Sequence, residues 1–407
     1  MKQLTPSEQQ LVRGVDQAAM LDSTLQWAAI NTGTANLAGL DTMAGALAQA
    51  FAALPGEVDL VEPAPVVSVD AAGTERELQH GRHMVLRVRP QASRRFLLTG
   101  HMDTVFSASD PFQQVTWLDP DTVNGPGTAD MKGGLTVMLE ALKALEITPG
   151  AQAIGYDVMI NSDEETGSLS SAALIAELAR GKFAALTYEP SALPDGTLAH
   201  ARGGSGNYAV TFRGRAAHAG RNPQDGRNAL VAAADCAVRL KQMQHADLPI
   251  NPARIDGGSA NNVVPDLAVL RFNIRPRTMQ AAEDFASDFQ DLLQFLEKLH
   301  EVSIHCHGGV TRPPKPVNVR AQKLFDLVRD SGAALGQEIG WQDSGGVCDG
   351  NNIAACGIPI VDTMGVRGGS IHSPDEFMIV PSLGERAALS ALVLHRLATG
   401  ADLGAMP

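Results

Sequence analysis

Residues able to bind a metal or move a proton gather in a few short stretches of this 407-residue chain. Gly100-His101-Met102-Asp103-Thr104 is one, Asn161-Ser162-Asp163-Glu164-Glu165 a second, and Glu189-Pro190 a third. Asp130 lies in Gly127-Thr128-Ala129-Asp130-Met131-Lys132-Gly133-Gly134, and His372 opens His372-Ser373-Pro374-Asp375-Glu376. Imidazoles and carboxylates without a thiolate suit Zn²⁺ or a related divalent ion. His101, Asp130, Glu165, Glu189 and His372 give five ligands. If Asp130 bridges two ions, each ion receives three protein groups and keeps an open position, which points to catalysis rather than structure. Asp103, two residues beyond His101, is placed to accept the other imidazole N–H and fix its tautomer. Of the neighbours Glu164 and Glu165 only one need ligate; the other can serve as general base on a water between the ions. The chemistry expected of such a site is metal-assisted amide hydrolysis.

Each residue alone says little. Asp or Glu after a strand is ordinary turn chemistry, and a lone histidine is ordinarily a surface group. Joint placement at successive strand exits is what carries the reading. His305 and His307 share one face of a strand, but without a third ligand they are not read as a metal site. Cys348 has no paired base and is read as packing. The chain has no Gly-x-Ser-x-Gly elbow, no Walker loop and no His-Glu-x-x-His, and Gly125-x-Gly127 lacks a third glycine.

The elements that must position these residues follow from periodicity. Thr5-Pro6-Ser7-Glu8 reads as a capping box opening a helix that runs to about Trp27, and Asn36 to Leu54 reads as a second helix stopped by Pro55-Gly56. Val58 to Val69 and Met84 to Val88 read as strands. Strand Phe96–Thr99, helix Met131–Leu145, strand Tyr156–Ile160, helix Ser170–Leu178 and strand Phe183–Tyr188 follow in β-α-β-α-β order. The expected class is α/β, with a mixed, largely parallel sheet covered by helices on both faces and ligands beyond the carboxyl ends of the strands. From about Gly206 the texture becomes β-α-β-β-α-β, an α+β ferredoxin-like pattern, with Asp225 as the expected cap of its first helix. Arg312-Pro313-Pro314-Lys315-Pro316 closes it, and α/β texture resumes. The expected domains are a discontinuous catalytic, metal-binding one at 1–202 and 315–407 and an inserted one at 203–314.

Composition narrows the partners. The chain carries 45 acidic against 32 basic residues, a net charge of −13, with 4% aromatics. That opposes nucleic-acid binding and offers no basic face to a membrane. The four cysteines form no Cys-x-x-Cys pair. With no signal-like apolar N-terminus and no run of 18 apolar residues, a cytoplasmic location is expected.

Six motifs carry a resemblance: Gly-His-Met-Asp-Thr-Val at 100–105, Gly-Thr-Ala-Asp-Met-Lys-Gly-Gly at 127–134, Asp-Glu-Glu-Thr-Gly at 163–167, Tyr-Glu-Pro at 188–190, Ala-Ala-His-Ala-Gly at 216–220 and His-Ser-Pro-Asp-Glu at 372–376. As a set they resemble the zinc-dependent exopeptidase and deacylase family of glutamate carboxypeptidases, aminoacylases, acetylornithine deacetylases and succinyl-diaminopimelate desuccinylases, across almost the whole chain. The pattern is nearest the glutamate carboxypeptidase branch. The resemblance implies two zinc ions per subunit, replaceable by Co²⁺ or Mn²⁺. One would be held by His101 and Glu189 and the other by Glu165 and His372, with Asp130 bridging and Glu164 as base. It also implies a cis peptide after Asp130.

The inserted domain would act as a lid and form a homodimer through 203–314. His218 would reach the partner subunit's site to stabilise the oxyanion, and Asn262 and Arg275 would hold the substrate carbonyl and terminal carboxylate. The expected substrate is a small peptide or an N-acyl amino acid, with an N-acyl-amino-acid deacylase as the alternative to a carboxypeptidase. Val347 and Cys348 stand where the family more often has small hydroxyl residues, which bears on pocket shape. A non-catalytic scaffold is disfavoured because every ligand and the base are present, and a Mg²⁺ phosphatase because magnesium rarely selects two histidines.

Overall fold

The computed structural model describes residues 4–404. The chain divides into two compact units, Met1–Ala64 with Gln79–Ala201 and Pro316–Pro407, and Pro65–Leu78 with Arg202–Lys315. The larger unit is built on a six-stranded sheet in the order Glu57–Val61, His83–Val88, Gly155–Asn161, Arg95–His101, Ala184–Thr187, Ile360–Val361. The first two pairings are antiparallel and the other three parallel.

Strand alternation sorts the core into two faces. Leu86, Phe96, Leu98, Val158, Ile160 and Leu186 join one large apolar cluster with Leu135, Met138, Leu142, Leu389 and Val393 of the helices Gly133–Glu146 and Ser382–Ala398. Val85, Leu97, Met159 and Ala185 point the other way, against Ile175, Leu178 and Ile353. Both faces are therefore covered. A four-stranded antiparallel sheet, ordered Gly368–Gly369, Phe377–Ile379, Thr122–Asn124, Thr116–Asp119, was not expected from sequence; it frames the turn that carries His372.

The smaller unit has a four-stranded antiparallel sheet in the order Ile250–Gly257, Leu267–Ile274, Ser205–Arg213, Ser303–Arg312. Its helices Ala229–Met243 and Met279–His300 cover one face, where Phe212, Phe272, Phe285, Phe289 and Leu240 form the core. This is the ferredoxin-like arrangement. The chain enters and leaves through a paired stem, with Arg202 N to Lys315 O at 3.0 Å and the reverse bond at 2.9 Å.

Several sequence expectations need correction. The helix expected to run to Trp27 is two, Pro6–Arg13 and Gln17–Ala28, because Gly14 ends the first and Asp16 Oδ1 caps the second by accepting from Ala18 N and Ala19 N. The strand expected over Val58 to Val69 breaks at 62–65. Its second half pairs as a hairpin, Val66–Val69 with Glu75–Leu78, and belongs to the smaller unit, where 203–314 was expected to stand alone. Val69 packs there on Ala209 and Val269, and Arg271 Nη2 donates to Val69 O at 2.8 Å, so the hairpin covers the face of the sheet opposite the helices. Asn228, not Asp225, caps the helix Ala229–Met243. Among the described residues no helix is long and apolar enough to cross a membrane.

Candidate active site

The strand Arg95–His101 ends on His101, whose ring is buried. Its Nδ1 lies 2.9 Å from the main-chain carbonyl of Asp103 and 3.5 Å from that residue's carboxylate Oδ1. The carbonyl, rather than the carboxylate expected from sequence, is thus the nearer acceptor for an Nδ1–H. Either way the tautomer is fixed and Nε2 faces the acids, 3.1 Å from Asp130 Oδ1 and 3.6 Å from Glu189 Oε2.

Asp130 precedes the helix Gly133–Glu146 in an irregular turn, Thr128–Lys132, with a cis peptide between Asp130 and Met131. The two oxygens of its carboxylate face different imidazoles: Oδ1 meets His101, and Oδ2 is 3.3 Å from His372 Nε2. His372 Nε2 is also 3.1 Å from Glu165 Oε2. Ligand atoms of His101, Asp130 and Glu165 lie within 4.8 Å of one another, as do those of His101, Glu164 and Glu189. All five expected metal ligands and Glu164 therefore converge in the larger unit, at the carboxyl ends of its parallel strands.

Asp103 serves a second purpose that sequence did not suggest. Its fully buried carboxylate accepts from Glu164 N at 3.1 Å, from Glu165 N at 3.2 Å and from Thr34 Oγ1 at 2.8 Å. Asp163 braces the same loop from its other end, taking bonds from Ser170 N, Ser170 Oγ and Ser171 Oγ at 2.6, 2.9 and 2.7 Å. Glu376, also buried, accepts from Gly127 N, Ala129 N and Asp130 N at 3.2, 3.0 and 3.0 Å and so holds the turn that presents Asp130. Lys132 Nζ donates to Ile30 O at 2.8 Å, tying that turn to the segment before the helix Leu37–Phe51. Thr34, Lys132, Asp163 and Glu376 were missed as functional positions. For Glu376 a signal existed, since it closes the quoted His-Ser-Pro-Asp-Glu stretch.

The electrostatics call for cations. Hydrogen bonds to Asp130 and Glu165, and the charges behind them, push His372 up to about 11 against the effect of burial. Burial would lower His101, yet the Glu189 charge and the surrounding acids raise it well above the usual histidine range. Burial would also raise Asp130, but both imidazoles hold it well below the ordinary carboxylate range. Glu165 is pushed up to about 7 by burial and by the Asp130 charge. These shifts follow from carboxylates crowded against two imidazoles, and that donor set fits a divalent ion.

The remaining expected residues lie in the smaller unit. His218 is exposed, and its Nδ1 accepts from Gly220 N and Arg221 N at 3.1 and 3.2 Å. It pairs in a short antiparallel bridge with Val263, which sets Asn262 beside it: Ala219 N donates to Asn262 O at 2.9 Å. Arg275, just past the strand Leu267–Ile274, is exposed and donates from Nε to Asn273 Oδ1 at 2.8 Å. Cys348 is buried with its thiol 3.6 Å from Asp362 Oδ2. His305 lies 3.5 Å from Glu75, and neither it nor His307 enters a metal-capable cluster among the described residues.

Comparison with known proteins adds identity to this geometry. Residues 97–396 match the model of peptidase family M20/M25/M40. The chain is 30% identical over 334 residues to carboxypeptidase G2 of Pseudomonas sp. (strain RS-16), spanning 79% of this chain and 78% of that protein. It is 26% identical over 329 residues to the succinyl-diaminopimelate desuccinylase of Halorhodospira halophila, spanning 75% and 84%. Among solved structures, a tripeptidase from Staphylococcus aureus superposes with a TM-score of 0.71 at 24% identity, over 95% of this chain and all of that one. An M20 family metallo-carboxypeptidase from Sulfolobus solfataricus gives 0.69 at 15% identity, over 93% and 99%. These two likenesses speak to fold alone. The family model and the carboxypeptidase G2 relative go further: this chain belongs to peptidase family M20/M25/M40 and is a hydrolase.

Proposed function

We propose that the protein is a di-zinc carboxypeptidase that cleaves an amide bond next to a free α-carboxylate, of the glutamate carboxypeptidase type. The observation that carries this reading is the split carboxylate of Asp130, one oxygen toward His101 and the other toward His372. His101, Asp130 and Glu189 would hold one ion and Asp130, Glu165 and His372 the other; Zn²⁺ suits these donors, and Co²⁺ or Mn²⁺ could replace it. When bound, such ions supply Lewis acidity that acidifies a water and polarises the scissile carbonyl.

Glu164 takes the proton from the attacking water and returns it to the leaving amine, a role supported by its place beside His101 and Glu189 on a loop held by Asp103. Asp103 orients both that loop and the His101 ring. His218 donates to the oxyanion, from the partner subunit of a homodimer formed through the smaller unit. Asn262 holds the substrate carbonyl, and the planar guanidinium of Arg275 grips the terminal carboxylate bidentately. The relative named carboxypeptidase G2 favours a carboxypeptidase over a deacylase.

The test is a hydrolysis panel on zinc-reconstituted protein, comparing peptidyl amides of C-terminal glutamate with N-acetylated amino acids other than glutamate. Glutamate amides should be cleaved with kcat/KM at least about 10-fold higher, the discrimination one well-matched charged contact supplies. A preference for N-acetyl amino acids irrespective of glutamate would make the protein a deacylase. No hydrolysis with zinc, cobalt or manganese would sink the amide-hydrolase reading.

A further inference from the structure

His83 opens the strand His83–Val88, whose next residues, Met84, Val85 and Leu86, are apolar and buried in the core. Its own ring is fully buried too, and it stands outside the metal-capable clusters found among the described residues. A polar ring in that position is costly unless its nitrogens find partners. They do: Nδ1 lies 3.4 Å from Ser162 Oγ, and Nε2 lies 3.3 Å from Ser170 Oγ. Those two buried serines bracket the loop that carries Glu164 and Glu165. Ser162 follows the strand Gly155–Asn161, and Ser170 stands just before the helix Ala172–Ala179.

Counting protons fixes how the ring is used. Ser162 Oγ donates to Gly81 O at 2.6 Å, which spends its single hydrogen. Toward the ring it can only accept, so Nδ1 carries a hydrogen. Burial outweighs the Asp163 charge and holds His83 below the ordinary histidine range, and the neutral ring leaves Nε2 as an acceptor. Ser170 Oγ, which donates to Asp163 Oδ2 at 2.9 Å, then stands between two acceptors. Asp163 does not depend on that hydroxyl, because Ser170 N and Ser171 Oγ donate to the same carboxylate at 2.6 and 2.7 Å. The one donation the ring must make is therefore Nδ1–H to Ser162, two residues before Glu164.

We propose that His83 is a positioning residue for the general base: its Nδ1–H fixes Ser162 and thereby the course of the chain into Glu164. The proposal rests on the reading of Glu164 as base. Asp103 holds the amides of Glu164 and Glu165, which leaves the approach to Glu164 to be set by Ser162. A hydroxyl tied only to Gly81 O could swing about that bond, and a second hold from the ring removes the freedom. A base must sit within hydrogen-bond reach of the water it deprotonates, so a small drift of its loop is expressed in turnover rather than in binding.

The experiment compares His83→Leu and His83→Asn with the wild-type chain, all zinc-reconstituted. Leucine fills much of the space of the ring and donates nothing, whereas the amide nitrogen of asparagine falls where Nδ1 stood. His83→Leu should lower kcat about 5- to 20-fold with KM within about twofold and zinc content unchanged, and should quicken amide exchange at Glu164 and Glu165. His83→Asn should return kcat to within about threefold of wild type and restore slow exchange, although its smaller side chain lowers the melting temperature. Activity that instead follows melting temperature across the two variants overturns the proposal, as does unchanged kcat and exchange in His83→Leu. Zinc lost in step with kcat also overturns it, because the ring would then position the ligand Glu165 rather than the base. ¹⁵N NMR of the wild-type histidines needs no variant to fold: His83 should show Nδ1 protonated and Nε2 bare, and a bare Nδ1 overturns the proposal. Glu164→Gln in the same series separates the two readings. If it stays active, the base assignment falls, and the exchange rates still report whether the ring orders the loop.

Discussion

In the larger unit His101, Asp103, Asp130 and Glu189 are exposed by 1, 0, 5 and 8%, with Glu164 and Glu165 half-buried and only His372 at an exposed rim, whereas His218, Asn262 and Arg275 of the smaller unit all stand exposed. The contrast reflects two kinds of work. Holding several carboxylates and two imidazoles within hydrogen-bonding distance is repulsive unless backbone donors and cations offset it, so that cluster must be finished by the fold itself. On the proposed reading the exposed three would meet a substrate or a second subunit and acquire their environment on contact, so the fold need only present them. Substitutions should therefore separate into those that change metal content or the chemical step and those that change substrate affinity.

The largest expected effect tests the buried side. Glu164→Gln keeps the volume and leaves the Glu164 N bond to Asp103 intact. It should lower kcat by about 100- to 10,000-fold, the usual contribution of a general base, with zinc content and fold unchanged. Elemental analysis beside steady-state kinetics decides it. Zinc lost together with activity would make Glu164 a ligand and redraw the two triads, while full activity would remove it from the reaction.

A smaller effect tests the exposed side. Arg275→Met keeps an unbranched stem and removes the fork that would grip a carboxylate. KM for a glutamate amide should rise about 10- to 100-fold, the worth of a charge-assisted hydrogen-bonded pair, with zinc content unchanged. A fall in bound zinc would break the comparison, because it would mean that the exposed residue supports the buried cluster.

The same contrast explains how far the sequence could be read. Strand exits and the imidazole and carboxylate side chains gathered there were legible, since hydrophobic runs such as Phe96–Thr99 and Tyr156–Ile160 mark strands and the polar residues that end them follow directly. What escaped was action at a distance in sequence. Glu376 reaches the Gly127–Asp130 turn across 246 residues or more, and Thr34 reaches Asp103 across 69, with no period to announce either. The hairpin Val66–Val69 with Glu75–Leu78 misled for a related reason: its residues have ordinary strand chemistry, and only the bare face of the inserted sheet decides where they pack. Asp225 has the chemistry of a cap, but the helix starts four residues later behind Asn228.

The smallest effect is the most discriminating, because it perturbs the buried cluster without touching a ligand. Among the described residues, Thr34 Oγ1 and the amides of Glu164 and Glu165 donate to the Asp103 carboxylate at 2.8, 3.1 and 3.2 Å. Thr34→Val preserves shape and deletes only that donor. A hydrogen bond to a charged acceptor contributes ~1.5–3 kcal/mol, part of which the remaining two donors and local relaxation recover, so kcat should fall about 3- to 10-fold. KM should hold within about twofold, because the variant leaves the contact surface unchanged. Amide exchange at Glu164 and Glu165 should quicken in Thr34→Val and return to wild-type rates in Thr34→Ser, which restores the donor. If instead only the melting temperature falls, with kcat and both amides unaffected, Thr34 contributes to stability alone. The loop carrying the base would then be held by its own backbone bonds, and the buried side of the comparison would be less finely tuned than its geometry implies.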